Sequence, residues 1–257
     1  MTLVQTVHDR AELAELLGRD PGLHAYELGD LDDFYWPYTT WYRLGELAAL
    51  VYHGGGTPVL LALDRSDPTG RLPELLTALV PLLPRRFEAH LSPGGAVALA
   101  RQLPGESRGP HLKMALTDPA RLDRVRPDGE VLTAADLPEL TALYERAYPG
   151  NWFDRRMIET GQYVGVRRDG RLLAVAGVHV WSPRYRVSAL GNVTTDPAAR
   201  RQGLAAIAVA TLCRRLRSTV DHITLNVRAD NTAAIALYER LGFTRIAEYV
   251  EYDFGAT

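Results

Sequence analysis

Residues 191–216, GNVTTDPAARRQGLAAIAVATLCRRL, constrain the fold of this chain more than any other segment. Pro197 cannot donate a hydrogen bond to a sheet ladder, so a strand that precedes it must end there. After the loop, apolar residues recur on one helical stripe, at Leu204, Ile207, Ala208, Leu212 and Leu216. The segment therefore predicts a strand, a short loop that carries Gly203, and a long helix.

A loop of this kind suits an anionic ligand. The first backbone N–H groups of a helix have no intrahelical partner, and the helix dipole adds partial positive charge at the same end. Gly203 and Ala205 are small, which lets backbone approach a ligand, and Arg200 and Arg201 add fork-shaped donors. These features predict a diphosphate cradle. The alternative is that Gly203 begins an ordinary helix and the arginines are solvated.

A second informative segment is residues 225–243, LNVRADNTAAIALYERLGF. Asn231 is a natural helix N-cap, and Gly242 has the place expected just after a helix C-terminus. Tyr238 follows Asn231 by about two helical turns. It either packs on the sheet as an amphipathic side chain or offers its hydroxyl to a leaving group.

Periodicity predicts alternating strands and helices along the whole chain. In the first half, helices are predicted at residues 11–17 and 72–83, and strands at 39–44, 46–52, 58–64, 87–91 and 112–116. In the second half, helices are predicted at 134–147, 203–216 and 232–241, and strands at 163–167, 172–181, 186–195, 222–227 and 244–253. A charged segment with two prolines, residues 118–130, is read as a linker, which gives domains 1–125 and 126–257. The fold class is α/β (α+β), with a mixed, mostly antiparallel sheet flanked by helices.

Composition limits the partners. The formal net charge of −2 gives no basic field for nucleic acid. Cys213 is the one cysteine and Lys113 the one lysine, so no internal disulfide forms and no thiol cluster suggests zinc or another metal. With no secretory signal and no apolar run of about 18 residues, we expect a cytoplasmic protein without a membrane partner, as a monomer or homodimer.

The two segments together resemble the GNAT superfamily of acyl-CoA N-acyltransferases. Residues 200–205, RRQGLA, are similar to its pyrophosphate loop, [QR]-x-x-G-x-[GA], and residues 231–243 are similar to its N-x-x-A…Y-x-x-x-G-F signature. The first half has a similar order of elements, which suggests a degenerate second copy in tandem. Its loop at residues 65–70, RSDPTG, lacks the pyrophosphate pattern, so we expect that copy not to bind CoA.

The resemblance implies acetyl-CoA as acyl donor and an amine as acceptor. Backbone amides of residues 202–205 would hold the diphosphate, and the strand at residues 192–195 would splay from residues 222–227 and pair with pantetheine. Val193 N–H would polarise the thioester carbonyl, Asn231 would bond pantetheine, and Tyr238 would protonate the departing thiolate. The implied CoA-binding residues are Asn192, Val193, Thr194, Thr195, Arg200, Arg201, Gln202, Gly203, Leu204, Ala205, Asn231, Ala234 and Tyr238.

The general base is left open by the sequence. His179 has a suitable pKa range, but a strand histidine is as compatible with a solvent or core position. Glu145, Asp154, Glu159 and a water chain are alternatives. Direct transfer needs no acyl-enzyme, so Cys213 is expected in the core.

The predicted function is acetyl transfer to a small-molecule primary amine in a ternary complex. The alternatives are a protein N-acetyltransferase acting on an α-amine or lysine, and a non-catalytic CoA sensor.

Overall fold

The computed structural model describes residues 4–65 and 70–255. The elements of the first half are β1 (Gln5–Val7), α1 (Arg10–Leu17), α2 (Ala25–Asp30), β2 (Thr39–Leu44), β3 (Leu47–Tyr52), β4 (Val59–Ala62), α3 (Leu72–Leu79), β5 (Phe87–Leu91), α4 (Pro93–Ala100) and β6 (Gly105–Leu116). Those of the second half are β7 (Glu130–Val131), α5 (Leu137–Ala147), β8 (Val164–Arg168), β9 (Arg171–Ser182), β10 (Val187–Thr195), α6 (Leu204–Leu216), β11 (His222–Arg228), α7 (Thr232–Arg240) and β12 (Phe243–Phe254).

Short 3₁₀ helices complete the description. They are Trp36–Tyr38, Val80–Leu82, Pro119–Arg124, Ala134–Asp136, Arg155–Thr160 and Pro197–Ala199. The chain divides into two compact units. Unit 1 comprises residues 1–113, 227–231 and 245–257, and unit 2 comprises residues 114–226 and 232–244.

Unit 1 contains the strands in the order β1-β2-β3-β4-β5-β12-β6. The pairs from β1 to β4 and the β5–β12 pair are antiparallel, whereas β4 and β5 run parallel. Leucines of α3 spaced at three and four residues, Leu72, Leu75, Leu76 and Leu79, form one buried face. They pack in a core with Phe87 and other apolar residues of the sheet.

Unit 2 repeats this plan with the strands in the order β11-β10-β9-β8-β7. The pairs from β7 to β10 are antiparallel, and β10 runs parallel to β11. The α6 stripe predicted from the sequence is largely buried, with Leu204, Ala208, Leu212 and Leu216 inside and Ile207 partly exposed. In both units, four antiparallel strands lead into a helix and a parallel strand. This repeated order confirms a mixed, mostly antiparallel fold in tandem.

Most predicted elements of the second half agree with the structure to within a few residues. The turn at Gly54, Gly55 and Gly56 joins the antiparallel strands β3 and β4, as expected of a hairpin. The helix predicted at residues 72–83 stops as an α-helix at Leu79 and continues as a 3₁₀ turn, since Pro81 cannot extend the α-helical hydrogen bonds.

One prediction for the first half needs correction, and two helices there were not predicted. The strand predicted at residues 112–116 begins at Gly105, because Arg108 bridges Glu88 and Asp253 and keeps the strand extended through a turn-like sequence. The helix α4 was not predicted, because its Pro-Gly-Gly start is typical of a turn. The helix α2, in which acidic residues are buried, was not predicted either.

The segment read as a linker is packed rather than free. It contains the 3₁₀ helix Pro119–Arg124, and Leu122 within it is fully buried. The Arg214 guanidinium donates to the Leu122 carbonyl, so a side chain from α6 holds this segment in place.

Candidate active site

The loop before α6 has the backbone geometry of an anion receptor. Arg201 and Gly203 both have positive φ, 61° and 77°. When left-handed residues alternate with residues of ordinary backbone conformation, successive backbone N–H groups turn toward one side. They form a concave anion-binding site, called a nest. No side chain caps the N-terminus of the 13-residue helix α6. Its first N–H groups are therefore available to a ligand.

This loop is held by an acidic residue that sequence reasoning did not single out. Asp196 accepts a hydrogen bond of 3.0 Å from Ala198 N–H and pairs with Arg146 of α5 at 2.9 Å. The Ala198 N–H, and then the Arg146 guanidinium, lower the pKa of this carboxyl below its usual value. Asp196 stays ionised and fixes the chain between β10 and α6.

The strands β10 and β11 separate on the side of this loop. Their parallel register runs from Val187 opposite His222 to Leu190 opposite Leu225, and β10 then continues to Thr195 without β11 as a partner. Residues 192–195 thus have one strand edge free of β11. This is the splay expected from the sequence.

A bulge interrupts β10 where the two strands separate. Gly191 lies opposite Gly177 of β9, but Thr194 lies opposite Val175, so β10 has one residue more than its partner over this stretch. Asn192 adopts φ of 54°, an uncommon value that asparagine tolerates better than most residues. The bulge breaks the β9 pairing at Asn192 and Val193.

Two buried tyrosines hold the bulge. The Tyr144 hydroxyl donates to the Asn192 carbonyl at 2.9 Å, and Asn192 Nδ2 donates to the Tyr163 hydroxyl at 3.1 Å. Asn192 is only 5% exposed, and both its side chain and its carbonyl are engaged in this network. Val193 and Thr195 are half-buried, and Thr194 is buried.

His179 lies beside the bulge. A Cβ added to Gly191 would come within 2.0 Å of His179 Cδ2, so the imidazole covers this glycine directly. The ring is half-buried on β9, where His179 lies between Val178, opposite Leu190, and Val180, opposite Ala189. Close imidazole packing explains why position 191 is a glycine, and it places a titratable group next to the bulge.

Tyr238 lies on α7 and is 7% exposed. Its ring packs edge-to-face against Phe243, with centroids 5.8 Å apart. Burial raises the pKa of the Tyr238 phenol above its usual value, so the hydroxyl keeps its proton at neutral pH.

Cys213 is fully buried on α6, as expected of a core residue. Burial raises the pKa of its thiol to about 12, so the thiol stays protonated and inert.

The other predicted residues lie in two places, around the start of α7 and around the start of α6. Asn231 directly precedes α7 and belongs to unit 1, while Ala234 lies in the first turn of α7. Arg200 and Gln202 are exposed in the loop, and Ala205 is half-buried at the start of α6.

The carboxylates considered as bases differ in their surroundings. Glu145 and Glu159 are exposed, whereas Asp154 accepts from Arg156 N–H at 2.9 Å and caps a 3₁₀ helix.

The loop that follows α5 carries aromatic residues. Among them, Phe153 packs between Tyr144 and Tyr163, with ring centroids 5.0 and 5.6 Å away. This part of the loop is an anchor for the bulge network.

The matching strands of unit 1 stay joined. β4 pairs with β5 along its whole length, from Val59 opposite Glu88 to Ala62 opposite Leu91. Beyond them, the Ser92 hydroxyl accepts from Asp64 N–H at 2.8 Å and donates to the Asp64 carbonyl at 2.9 Å. These two hydrogen bonds hold the chain together after β4 and β5, whereas β10 and β11 separate at the corresponding position in unit 2. Of the loop expected not to bind CoA, residues 66–69 lie outside the described residues.

Neither a metal site nor a membrane span is found among the described residues. Within residues 4–65 and 70–255, no group of three or more His, Cys, Asp and Glu side chains is placed to hold a metal ion. Over the same residues, no helix has both the length and the apolar character needed to cross a bilayer.

Comparison with known proteins agrees with this geometry. A family model described as the acetyltransferase (GNAT) family matches residues 130–243. The mycothiol acetyltransferase of Salinispora tropica is 34% identical over 108 residues, which are 40% of this chain and 34% of that protein. The ribosomal protein bS18-alanine N-acetyltransferase of Salmonella typhimurium is 32% identical over 118 residues, 44% of this chain and 78% of that protein. The chain thus spans about a third of the first relative and most of the second.

Solved structures extend the likeness over both units. A GNAT-family acetyltransferase from Novosphingobium aromaticivorans is 26% identical with a TM-score of 0.57, over 81% of this chain and 88% of that one. A tandem GNAT protein from the clavulanic acid biosynthesis pathway is 15% identical with a TM-score of 0.54, over 99% of each chain. The second likeness concerns the fold alone.

Proposed function

Since the chain belongs to the acetyltransferase (GNAT) family, we propose that unit 2 transfers an acetyl group from acetyl-CoA directly to a primary amine of a small molecule. The observation that carries this proposal is the alignment of three features along β10 and α6. They are the splayed strand end, the bulge at Asn192 and Val193, and the uncapped helix with its left-handed loop.

The donor is proposed to bind along these features. The diphosphate lies on the N–H groups of residues 202–205, with Arg200 and Arg201 as additional donors. The pantetheine arm pairs with residues 192–195, as an added strand pairs with an exposed sheet edge. Asn231 and Ala234, at the start of α7, contact the same arm.

The reaction then proceeds by direct transfer within a ternary complex, through a tetrahedral intermediate and without an acyl-enzyme. A neutral amine attacks the thioester carbonyl, and the resulting oxyanion accepts a hydrogen bond from Val193 N–H. Such a donor contributes roughly 3 kcal/mol to transition-state stabilisation. The C–S bond breaks, the thiolate takes the proton of the Tyr238 hydroxyl, and the amine proton leaves to a base, for which His179 is the candidate. The raised pKa of Tyr238 supports the donor role, because the phenol is protonated throughout the neutral range.

The small-molecule acceptor is supported by one relative. The mycothiol acetyltransferase matches this chain over part of its length, and its name refers to mycothiol rather than to a protein. A protein α-amine is the second candidate, because the bS18-alanine N-acetyltransferase matches over most of its own length. The two candidates differ in the size of the acceptor, which an assay can separate.

Unit 1 is proposed to be the copy that does not bind CoA. The Ser92 bridge to Asp64 occupies the position where a pantetheine arm would enter between parallel strands. One acetyl-CoA is then bound for each chain, at the donor site along β10 and α6.

Release of CoA thiol from acetyl-CoA tests the proposal. We expect turnover with members of a panel of small primary amines and little with peptides that begin with alanine. Tyr238→Phe should lower kcat by roughly a hundredfold, within the usual range for loss of a general acid. Tyr252→Phe in unit 1, where the ring stacks on Phe254, is the matched control and should leave kcat unchanged. Tight acetyl-CoA binding without turnover on any amine would contradict catalysis, and turnover on the peptides alone would favour the protein acceptor.

A further inference from the structure

Unit 1 contains a cavity of about 180 Å³ that the proposed acetyl transfer does not use. It lies where the parallel strands β4 and β5 end, the edge at which open α/β sheets place their ligands. Its lining residues all belong to unit 1, and they are Leu23, Leu63, Asp64, Arg65, Ser92, Pro93, Lys113, Ala247, Glu248 and Tyr249.

Lys113 is the unusual member of this lining. It is the one lysine of a chain that carries its other basic charges on arginine, and it is 1% exposed. In the part of the chain that the structure describes, its ammonium makes no hydrogen bond or ion pair. Its contact is with the Tyr26 ring, 4.6 Å from the centroid. A buried ammonium with three donors and no acceptor is costly for a fold to retain.

The acidic groups nearest to Lys113 contact other side chains. Asp20 pairs with Arg65 at 3.1 Å, and Glu27 Oε1 pairs with His24 at 3.2 Å, while Glu27 Oε2 is buried without a hydrogen-bond partner among the described residues. Both carboxylates favour the charged ammonium, but neither lies within ion-pairing distance of it. The Tyr249 hydroxyl donates to Glu251 at 2.8 Å and is also engaged. Asp64 and Glu248 bring two carboxylates to the same lining, while the Lys113 ammonium has no hydrogen-bond acceptor among the described residues.

The rest of the cavity defines the shape of an occupant. Leu23, Leu63 and Tyr249 are buried and apolar where they face it, and they pack as one cluster. An apolar protein cavity of about 150 Å³ accommodates benzene, so this volume suits one ring or a short branched chain. A compact ammonium rather than a guanidinium at the wall leaves that space free.

We propose that this cavity binds a small organic carboxylate, whose carboxylate accepts hydrogen bonds from the Lys113 ammonium and whose apolar body packs on Leu23, Leu63 and Tyr249. A charge-assisted bond to a carboxylate supplies the acceptors that the ammonium lacks. The site is separate from the proposed acetyl-CoA site in unit 2 and does not depend on it.

The single lysine makes the test direct. Full-length protein labelled with ¹³Cε and ¹⁵Nζ lysine gives one side-chain lysine signal, which is titrated with benzoate and with benzamide. We expect benzoate to shift the signal saturably, and benzamide, which has the same size without the charge, to bind at least roughly tenfold more weakly. An unchanged signal with benzoate, or equal affinity for the two probes, would overturn the proposal in favour of Lys113 as a charge balance for Glu27.

Two variants keep the result independent of folding. Lys113→Met keeps the length of the side chain and removes a buried charge, so it is expected to fold. Saturation-transfer NMR should show loss of benzoate binding to it. Ala247→Leu leaves Lys113 in place and fills part of the cavity, so the lysine signal should remain but stop responding. Ala142→Leu, exposed on α5, is the matched control and should respond as the wild type does. Undiminished benzoate binding in Lys113→Met or Ala247→Leu would contradict the assigned site.

Discussion

The Tyr144 hydroxyl donates a hydrogen bond of 2.9 Å to the backbone carbonyl of Asn192. That carbonyl and the Val193 N–H belong to one planar trans peptide, so they point in opposite directions. Tyr144 therefore fixes the orientation of the amide that we propose as the oxyanion donor. A hydroxyl on α5 controls the direction of a backbone group in the bulge of β10.

Removal of this hydroxyl should affect catalysis more than binding. In Tyr144→Phe, the peptide that carries Val193 N–H is free to reorient, and we expect kcat to fall roughly tenfold with little change in KM for acetyl-CoA. Loss of a buried hydrogen bond should also lower the free energy of unfolding by about 1 kcal/mol. Steady-state kinetics and urea unfolding measure both quantities. A parallel rise in KM without loss of kcat would show that Tyr144 supports binding instead.

The left-handed conformation of Asn192 predicts an unusual order of stability. Asn192→Gly loses the side-chain bond to Tyr163 but adopts positive φ without strain. Asn192→Ala loses the same bond and adds a steric cost of about 1 kcal/mol. Urea unfolding should thus find the alanine variant less stable than the glycine variant. The reverse order, normal for a strand interior, would show that the bulge is absent in solution.

Gly191 and His179 form a pair that a double-mutant cycle can test. Gly191→Ala would place a Cβ within 2.0 Å of the imidazole, so we expect destabilisation of about 1–3 kcal/mol from overpacking. His179→Ala removes the obstacle, and the double variant should be less destabilised than the two single effects summed. Strict additivity in thermal unfolding would mean that the two side chains do not meet.

Lys113 predicts a pH dependence of stability in the alkaline range. Burial lowers the pKa of its ammonium from 10.5 to about 8, although Glu27 and Asp20 act in the opposite direction. Between these two values the unfolded chain binds a proton that the folded chain does not, so stability rises with pH there. Below pH 8 both states are protonated, and the cost of the buried charge is fully present.

The comparison that isolates this effect uses Lys113→Met. As pH rises from 8 to 10.5, the wild type should gain free energy of unfolding relative to the variant. The ¹³Cε shift of the single lysine reports the pKa directly. A lysine that titrates near 10.5 would show that the ammonium is solvated in solution.

Local sequence patterns were sufficient to predict most elements of the second half, including the strand, loop and helix of residues 191–216. The apolar stripe of α6, Pro197 after the strand and Gly242 after α7 are signals within a few residues of one another. Gly242 adopts positive φ, as expected of a residue just after a helix C-terminus, and Gly203 also adopts positive φ.

Contacts distant in sequence could not be read from those patterns. Tyr144 and Tyr163 lie 48 and 29 residues from Asn192, and no local spacing indicates that their hydroxyls converge on it. The helix α4 was missed because Gly94 and Gly95 indicate a turn. At Gly95, however, a Cβ would lie 2.6 Å from Leu76, so the glycine permits close packing of α3 and α4. In α2, the buried Glu27 and Asp30 conceal an amphipathic pattern.

The central claim, that the loop before α6 receives the diphosphate of acetyl-CoA, is tested by calorimetry on two matched variants. Gly203 and Gly170 both have φ of 77° and open space where a Cβ would lie, but Gly170 belongs to the β8–β9 turn. A β-branched side chain is strained at either position, so Gly203→Val and Gly170→Val should lose similar stability. We predict that acetyl-CoA binds the wild type and Gly170→Val equally, and Gly203→Val at least roughly tenfold more weakly. Equal affinity for all three proteins would contradict the account.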